Sequence, residues 1–467
     1  MTWIINFLII IIFLEVAHQF KIKIKILKIL TLSKKIFKYL SNKNLDIDKK
    51  KTIVERKIKN VIKLYINIIS ILILVLLLIF IVKILFNLSF RSILLNFTEI
   101  NFILASIIFI YLYLKIKKKI FDKTKYSFLS KIFHKFVLNS NQRLKVLFEI
   151  EKFFFLKRND NLHTQCLFIT GLPRSGSTFF LQSLYNTNFF SSLKYSDMPF
   201  VTSPNLWSKI NFFKKNILTH ERAHQDGIQI NLESPEAFEE IFWRSQLNNT
   251  YKEKIYYNKS HYNDNIAYQF ESFTKLVALN DKKKYYLSKN NNNIVRIKFL
   301  LNKLKKKKIV ILFRNPLDHC ISMLNQHENF INLQKKDKFF LDYMNMLSHF
   351  EFGLNHKPIQ IMNFKSNYST DNINYWLEYW ILIYQNLIHH MKHEDIIFLS
   401  YENFLNHPNM IIEKILNKLN INLKTHKIDI KKAEKKTFDF LKINKNILRI
   451  AENLFEEMRR NDVKISK

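Results

Sequence analysis

Long uncharged runs occupy the first quarter of the chain, whereas the rest has short apolar runs broken by polar turns. Residues 64–82 are 19 residues without a charged side chain, enough for a helix to cross a bilayer. Residues 100–114 are also apolar, and residues 3–14 form a shorter uncharged run. The pattern predicts a membrane region over residues 1–125 with two or three transmembrane helices. Residues 3–14 are interpreted either as a membrane anchor or as a helix that lies in the membrane interface.

Basic residues are distributed unevenly around these runs. Residues 18–63 carry 15 Lys and Arg against 3 Asp and Glu, residues 88–100 carry only Arg91, and residues 115–126 carry six lysines. The positive-inside rule places the first and third of these segments in the cytoplasm. The chain is therefore predicted to be a multi-pass membrane protein with the bilayer as a partner, and everything after residue 116 is expected to face the cytoplasm.

The totals exclude some classes of protein. Lys and Arg number 74 against 38 Asp and Glu, a formal net charge of +36. The basic residues are spread widely in a chain that is also rich in Asn, Ile and Phe, as codon bias produces, so we predict no nucleic-acid partner. The two cysteines, Cys166 and Cys320, lie in or beside apolar runs, which favours buried free thiols over a disulfide or a metal site.

Residues 126–160 have helical spacing and are predicted to link the membrane region to one α/β domain over residues 161–467. "QCLFIT", ending before Gly171, is typical of a buried parallel strand, and "STFFLQSLYNT" follows with helical spacing. "KKIVILFRNP", residues 307–316, is a second candidate strand. Four aromatic residues at helical spacing predict a stripe facing the core; they are Trp376, Tyr379, Trp380 and Tyr384.

The turn between the first strand and its helix reads "GLPRSGST", residues 171–178. Backbone N–H groups and the helix dipole make such a turn an anion site, and its hydroxyl side chains add donors. The glycine spacing is that of a nucleotide phosphate loop, but Ser177 holds the lysine position and Arg174 stands three places earlier. The second strand ends in Arg314, where a magnesium-holding Asp would be sought. Two basic residues at two strand ends suit a nucleotide with a phosphate at each end and no metal between them.

"GLPRSGST" resembles the 5′-phosphosulfate loop of sulfotransferases that use 3′-phosphoadenosine 5′-phosphosulfate (PAPS). "VILFRNPLDHCISML" resembles their 3′-phosphate motif, in which Arg and Ser stand eight residues apart, as Arg314 and Ser322 do. "YYLSKNNNNIVRI" and "IIFLSYENFLNHP" resemble two further segments of that family, so the likeness spans about residues 161–410. The arginine in the loop is closer to the bacterial and protein-tyrosine branches, and the Gly- and Lys-rich nucleotide segment of the cytosolic enzymes is not found here.

The resemblance implies a P-loop-like three-layer sulfotransferase fold with a central parallel sheet, PAPS as donor and no metal. It assigns the 5′-phosphosulfate to Arg174 and the loop N–H groups, and the 3′-phosphate to Arg314 and Ser322, with Lys289 assisting. The implied donor-binding residues are Gly171, Pro173, Arg174, Ser175, Gly176, Ser177, Thr178, Lys289, Arg314 and Ser322.

A general base close to the acceptor is expected to raise the rate by ~10²–10⁴-fold. Asp197 is ranked first, because related enzymes with an arginine in the loop place a carboxylate near that point, and Glu233 and Glu236 follow. His224 ranks below them in a segment that also holds His220 and Asp226. The residues expected to line the acceptor side, with no role beyond substrate contact, are His327, His349 and Glu351. His-x-Glu spacing also suggests zinc, but no third ligand is placed, so no metal site is predicted.

The acceptor is expected to be a hydroxyl or amine of a small molecule, lipid or glycan, and the sequence does not identify it. Two other classes of protein stay open: a P-loop kinase or ATPase at a membrane, and a non-catalytic protein that kept the fold. The oligomeric state is not predicted.

Overall fold

The computed structural model describes most of the chain in separate stretches. These are residues 22–41, 47–85, 99–121, 128–156, 164–210, 219–221, 228–247, 255–256, 262–361, 364–422 and 443–463, with scattered positions before residue 22. The chain divides into two compact units, residues 1–133 and 134–467. The predicted boundaries at residues 125 and 160 stay a prediction.

The first unit is helical. Its long helices are α1 (Ile22–Ser41), α2 (Ile47–Leu85) and α3 (Ile100–Phe121). The apolar runs at residues 64–82 and 100–114 lie within α2 and α3, so their helical character is confirmed, whereas the run at residues 3–14 lies largely outside the described residues. Among the described residues no helix meets the length and apolarity needed to cross a membrane.

The second unit alternates strands and helices, as predicted for an α/β domain. Its strands are β1 (Gln165–Thr170), β2 (Phe190–Ser191), β3 (His220–Glu221), β4 (Gln229–Ile230), β5 (Ile255–Tyr256), β6 (Tyr285–Lys289), β7 (Lys307–Phe313), β8 (Ile359–Gln360) and β9 (Ile396–Ser400). Its helices, with α4 crossing the boundary, are α4 (Phe128–Leu138), α5 (Asn141–Phe155), α6 (Ser177–Tyr185), α7 (Pro204–Ile210), α8 (Glu239–Leu247), α9 (Asp264–Asn280), α10 (Ile297–Lys303), α11 (Pro316–Lys336), α12 (Lys338–Leu347), α13 (Ile373–Ile388), α14 (Tyr401–Asn406), α15 (Pro408–Asn417) and α16 (Lys445–Arg460).

A parallel five-stranded sheet with the order β2-β6-β1-β7-β9 forms the centre of this unit. The predicted central parallel sheet is therefore confirmed. In the register, Ile169 of β1 is opposite Lys289 of β6, and Thr170 is opposite Ile311 of β7. Because the strands are parallel, their carboxyl ends meet at one edge, and Arg314, just beyond β7, is level with the loop after β1.

The two faces of the sheet are buried against different layers. Leu167 and Ile169 of β1 face a cluster with Phe180 of α6 and Phe404 of α14. Phe168 points to the opposite face, where its ring stacks on Phe270 of α9 with centroids 5.8 Å apart. Each fully buried side chain of this size contributes about 1.5–3 kcal/mol. The alternation along β1 thus builds the predicted three layers, with helices on both sides of the sheet.

Candidate functional site

The loop between β1 and α6 is tightly held by its neighbours. Gly171 has φ +133°, and a Cβ there would collide with the carbonyl oxygen of Leu312 in β7. Gly176 has φ +86°, and a Cβ there would collide with the ring of Tyr401. Arg174 takes a positive φ of 74° without being glycine. Glycine is therefore required at both positions, because the backbone has a positive φ and because it packs directly on the end of β7 and on the residue that follows β9.

His319, in the first turn of α11, holds the loop through a hydrogen bond to its backbone. Its Nε2 is 2.9 Å from the carbonyl oxygen of Pro173, and its Nδ1 accepts a hydrogen bond of 3.1 Å from the indole N–H of Trp380. Since an indole only donates, the imidazole carries its proton on Nε2 and donates to Pro173. Burial, with Arg314 and Arg174 nearby, lowers the pKa of His319 to about 3, so the ring is neutral at physiological pH.

Tyr384 fastens the start of the loop to the adjacent strand. Its hydroxyl donates to the carbonyl oxygen of Leu312 over 2.8 Å and accepts from the N–H of Leu172 over 3.4 Å. Trp380 and Tyr384 are four residues apart on α13, so both face the loop. The predicted aromatic stripe is buried as expected, but these two members also hold the loop in place.

The two predicted arginines lie near Tyr401. Arg314 places its guanidinium 4.9 Å from the centroid of that ring, and its buried Nε has no hydrogen-bond partner in the described part of the chain. Arg174 donates from Nε to the hydroxyl of Ser322 over 3.2 Å. Burial raises the pKa of Tyr401, while the charges of Arg314 and Arg174 oppose that rise. The ring of Tyr401 thus contacts the guanidinium of Arg314, and both cations are near enough to act on its hydroxyl.

Further polar groups surround this pair. Ser175 is fully buried, and its hydroxyl has no partner among the described residues. Glu402 accepts a hydrogen bond of 3.0 Å from the N–H of Asn315, and its second oxygen is buried without one. Burial raises the pKa of Glu402, and Arg314 counteracts part of the rise. Ser177 and Thr178 open α6 and are both buried. The loop, the α6 N-terminus and two guanidinium groups form a concentrated anion site.

The end of β6 lies beside this loop. Lys289 closes the strand opposite Ile169, and the N–H of Asn290 donates to the carbonyl oxygen of Ile169 over 2.9 Å. The hydroxyl of Thr170 donates in turn to the carbonyl oxygen of Asn290 over 3.0 Å. Lys289 is therefore one strand away from the loop, at the edge where the resemblance expects it.

A buried polar network fixes Asn290. Its side-chain amide donates to Glu240 over 2.7 Å and to Glu239 over 3.2 Å, and both carboxylates are only 1% exposed. Glu240 also pairs with Arg296 through both guanidinium nitrogens, at 2.6 and 2.8 Å. Arg296 lies 4.7 Å from the ring centroid of Trp243. Such a paired and bonded network is rigid, because removing one member leaves a buried charge uncompensated.

Asp197, the first-ranked base, lies in a different place. One carboxylate oxygen accepts from the N–H of Lys194 over 2.8 Å, and the other lies 3.4 Å from the amide nitrogen of Asn280. The ammonium of Lys194 pairs with Asp281 at 2.8 Å and with Glu233, the second-ranked base, at 3.1 Å. Asn280 ends α9, the helix that leads into the start of β6, so this cluster lies toward the amino edge of the sheet.

The pKa values within this cluster are coupled. Burial raises the pKa of Asp197 to about 7, although the charge of Lys194 opposes the rise. Burial would lower the pKa of Lys194, but the charges of Asp281, Tyr185 and Asp197 outweigh it and raise that pKa. Tyr185 is the last residue of α6, a helix about 13 Å long at 1.5 Å per residue, whereas the anion loop precedes its first residue.

The other candidate bases, and the histidines predicted near them, lie in separate parts of the domain or outside the described residues. Glu236 accepts from the hydroxyl of Tyr195 over 2.8 Å and from the N–H of Ala237 over 2.9 Å. His220 is on β3, and His224 and Asp226 lie outside the described residues. The structure brings Arg174 and Ser322, both predicted for the donor site, into contact, whereas Asp197 and Glu233 contact Lys194.

The three residues expected on the acceptor side each have a polar partner within the domain. His327 lies 3.1 Å from the hydroxyl of Thr370, and His349 lies 2.9 Å from the carbonyl oxygen of Ala237. Glu351 accepts from Asn291 over 3.1 Å. Within the described ranges, no group of three or more His, Cys, Asp or Glu side chains is arranged to hold a metal ion. Cys166 and Cys320 are buried free thiols, as predicted.

Sequence reasoning did not assign a site role to His319, Tyr384 or Tyr401. His319 follows the cap residue Asn315 by four positions, so its place in the first turn of α11 could be predicted from the sequence. The contact of its ring with Pro173 could not be predicted, because the two residues are 146 positions apart in the chain.

Residues 166–357 match the model of the sulfotransferase family. Comparison with curated protein sequences gives no significant match.

Among solved structures, the chain is similar to the sulfotransferase STF1 from Mycobacterium tuberculosis H37Rv, with 12% identity over 73% of this chain and 87% of that chain and a TM-score of 0.40. The sulfotransferase STF9 from Mycobacterium avium gives 10% identity over 70% and 77%, with a TM-score of 0.35. Retinol dehydratase, in complex with retinol and PAP, gives 13% identity over 66% and 84%, with a TM-score of 0.25.

Replacing Tyr384 by Phe removes the hydroxyl that joins Leu172 to Leu312. We expect a loss of about 1–3 kcal/mol in the free energy of unfolding and weaker binding of inorganic sulfate by the loop. Urea unfolding and sulfate titration by calorimetry measure the two effects. Tyr379→Phe is the matched control on the same helix: its hydroxyl accepts from Ile359 over 3.0 Å, so stability falls while sulfate affinity stays unchanged. Equal losses of affinity in both variants would contradict the assigned role.

Replacing Asp197 by Asn changes the pH dependence of stability. The raised pKa means that the folded protein holds a proton between about pH 4 and 7, where the unfolded chain has released it. The free energy of unfolding therefore falls as pH rises through this window, and Asp197→Asn removes that part of the slope. Urea midpoints from pH 4.5 to 8 measure it, with Asp264→Asn, an exposed partner of Lys303, as control. An unchanged slope in Asp197→Asn would show that this carboxyl titrates normally.

Proposed function

We propose that this domain transfers a sulfuryl group from PAPS to a hydroxyl or amine of an acceptor molecule. The observation that carries the proposal is the pair of arginines, Arg174 and Arg314, beyond the carboxyl ends of two adjacent parallel strands, with Arg314 against the ring of Tyr401. The family match supports sulfuryl transfer in general. The donor, the acceptor and the residue roles below are part of the proposal.

The loop residues suit the 5′ end of such a donor. Buried N–H groups at the start of α6 and the hydroxyl of Ser175, which has no partner in the described chain, are available to anionic oxygens. Arg174 supplies positive charge where negative charge grows on the bridging oxygen as the sulfur–oxygen bond breaks. Gly171 and Gly176 let the loop pack closely on Leu312 and Tyr401 and so fix its backbone. The domain therefore fits a phosphosulfate group at the loop.

Arg314 suits the other end of the donor. Its planar guanidinium binds a phosphate through two parallel hydrogen bonds, and its stacking on Tyr401 fixes the plane. Ser322, predicted to bind the 3′-phosphate with Arg314, accepts a hydrogen bond from Arg174. We therefore propose that Ser322 positions the arginine of the loop, and that the 3′-phosphate is held mainly by Arg314.

PAPS supplies the sulfuryl group and leaves as 3′,5′-ADP. The chain's own residues neutralise charge at both ends, hold the donor in line with the acceptor oxygen and take up the acceptor proton. Asp197 is the base that the resemblance suggests, and Glu233 and Glu236 are the candidates from the acidic segment that follows it. In this structure Asp197 and Glu233 are engaged within the cluster around Lys194.

The donor assignment is tested by nucleotide binding. We expect 3′,5′-ADP to raise the melting temperature without metal, and ATP with Mg²⁺ to have little effect. Arg174→Ala and Arg314→Ala should each weaken 3′,5′-ADP binding about 10–100-fold, since a charged hydrogen bond contributes about 1.5–3 kcal/mol. Arg459→Ala, at an exposed ion pair with Glu456, is the control and should bind normally. Tight binding of ATP with Mg²⁺ and none of 3′,5′-ADP would favour the kinase or ATPase alternative.

We also propose that the chain is held at a membrane with this domain facing the cytoplasm. The support is the uncharged run at residues 64–82 and the lysine-rich segments that flank the apolar runs. A membrane address makes a lipid or glycan acceptor plausible. The acceptor is sought by labelling membranes with ³⁵S-PAPS, with and without the protein, and separating lipids from glycans.

The location is tested by fractionation of cells. The full chain should sediment with membranes and stay there after an alkaline wash. Leu74→Lys with Leu78→Lys should release it, because each lysine at the centre of a spanning helix costs about 2.5–3.5 kcal/mol. Ile58→Lys with Ile62→Lys, exposed positions of α2 outside the run, should leave it bound. Recovery of the unaltered chain in the soluble fraction would refute the location.

A further inference from the structure

Three segments converge beside the carboxyl end of β6, and one carboxylate there stands apart from the rest. Glu351, in the segment after α12, accepts a hydrogen bond of 3.1 Å from the side-chain amide of Asn291. Asn291 is itself buried, only two residues beyond Lys289 at the end of β6. The second oxygen of Glu351 accepts no hydrogen bond from a described residue, and its side chain is partly exposed.

Glu351 is connected to the anion loop through two short contacts. The hydroxyl of Thr170, the residue before Gly171, lies 3.4 Å from the carbonyl oxygen of Asn291. Asn291 then holds Glu351 through its amide. A carboxylate fixed at this point lies at the same edge of the sheet as the loop and Lys289, where an acceptor oxygen has to meet the donor.

The two carboxylates that contact Asn290 are already engaged. Glu239 accepts hydrogen bonds from four side chains, which are those of Trp243, Tyr286, Asn290 and Asn293. Glu240 is paired with Arg296 through both of its oxygens. Both are 1% exposed, so neither is available to a substrate proton. Glu402, beyond β9, also has an oxygen without a partner in the described chain, but that oxygen is buried. Glu351 lies beside the end of β6, is partly exposed and has an open oxygen.

We propose that Glu351 is the general base of the sulfuryl transfer, with Asn291 as its positioning residue, an inference that rests on the proposed function. The acceptor oxygen forms a bond to sulfur, and the bond from sulfur to the bridging phosphate oxygen breaks. The acceptor O–H bond breaks as well, and its proton passes to the carboxylate of Glu351. The donor departs as 3′,5′-ADP with the electron pair of the broken bond, so atoms and charge balance.

The test measures ³⁵S transfer from PAPS to membranes of the expressing cells by the full chain, together with 3′,5′-ADP affinity. Glu351→Gln should lower transfer by about 10²–10⁴-fold and leave 3′,5′-ADP affinity unchanged. Glu351→Asp should retain part of the activity. Glu413→Gln, an exposed carboxylate of α15, is the matched control and should transfer normally.

The kinetic constants separate a base from a structural residue. Glu351→Gln should lower kcat and leave the KM for PAPS unchanged. Asn291→Ala removes the amide that orients the carboxylate, so it should lower kcat less than Glu351→Gln does and also leave the KM for PAPS unchanged.

Four results would overturn the inference. Full transfer by Glu351→Gln with loss in Asp197→Asn would move the base to Asp197 and leave the proposed function intact. Loss of 3′,5′-ADP binding in Glu351→Gln would show a structural role instead. A raised KM for PAPS with an unchanged kcat in Glu351→Gln would assign the residue to donor binding. Binding of 3′,5′-ADP without any transfer by the unaltered chain would overturn the proposed function as well as the base.

Discussion

Tyr401 lies against the guanidinium of Arg314 and the backbone of Gly176, and the anion loop depends on how closely that arrangement is packed. Tyr401 begins α14 directly after β9, while Gly176 allows the loop to approach its ring. The charges of Arg174 and Arg314 both act on this tyrosine, at a place where water is partly excluded. In our proposal, an anion with two separated phosphates compensates both charges.

The sheet makes this packing possible because its layers hold the strand ends at fixed distances. On one face, aliphatic side chains of β1 and β7 pack on α6 and α15; on the other, Phe168 and its aromatic neighbours pack on α9. At the edge itself, the paired Glu240 and Arg296 fix Asn290 and so the turn after β6. A buried ion pair adds little stability but makes alternative arrangements costly. We interpret this network as the element that keeps the acceptor side in register with the anion loop.

The part of the site that is local in the chain could be predicted from the sequence. An apolar run ending at Gly171, followed by hydroxyl residues and a helix, specifies a strand, a turn and an anion site within a few residues. Arg314 was placed by the same reasoning on the second strand. The sequence does not predict which residues from distant parts of the chain contact the loop and Arg314. Ser322 was predicted to bind the 3′-phosphate with Arg314. The hydrogen bond that its hydroxyl accepts from Arg174 could not be predicted, because only tertiary packing decides which side of α11 faces the loop.

The acidic residues show the same limit more sharply. Asp197 follows the loop helix closely in sequence, but its contacts are with Lys194 and Asn280. This buried cluster around Lys194 is typical of an ion network that joins helix ends. Glu351 is 177 residues from Arg174 in the chain, but the turn after β6 connects it to Thr170 through Asn291. Distance along the chain is therefore a poor guide to which residues share the carboxyl edge of a parallel sheet, because they are contributed by well-separated strands. In our proposal the same arrangement separates donor binding from proton transfer. Arginines beyond β1 and β7 hold the nucleotide and a carboxylate beyond β6 acts on the acceptor, so the two functions can be lost independently.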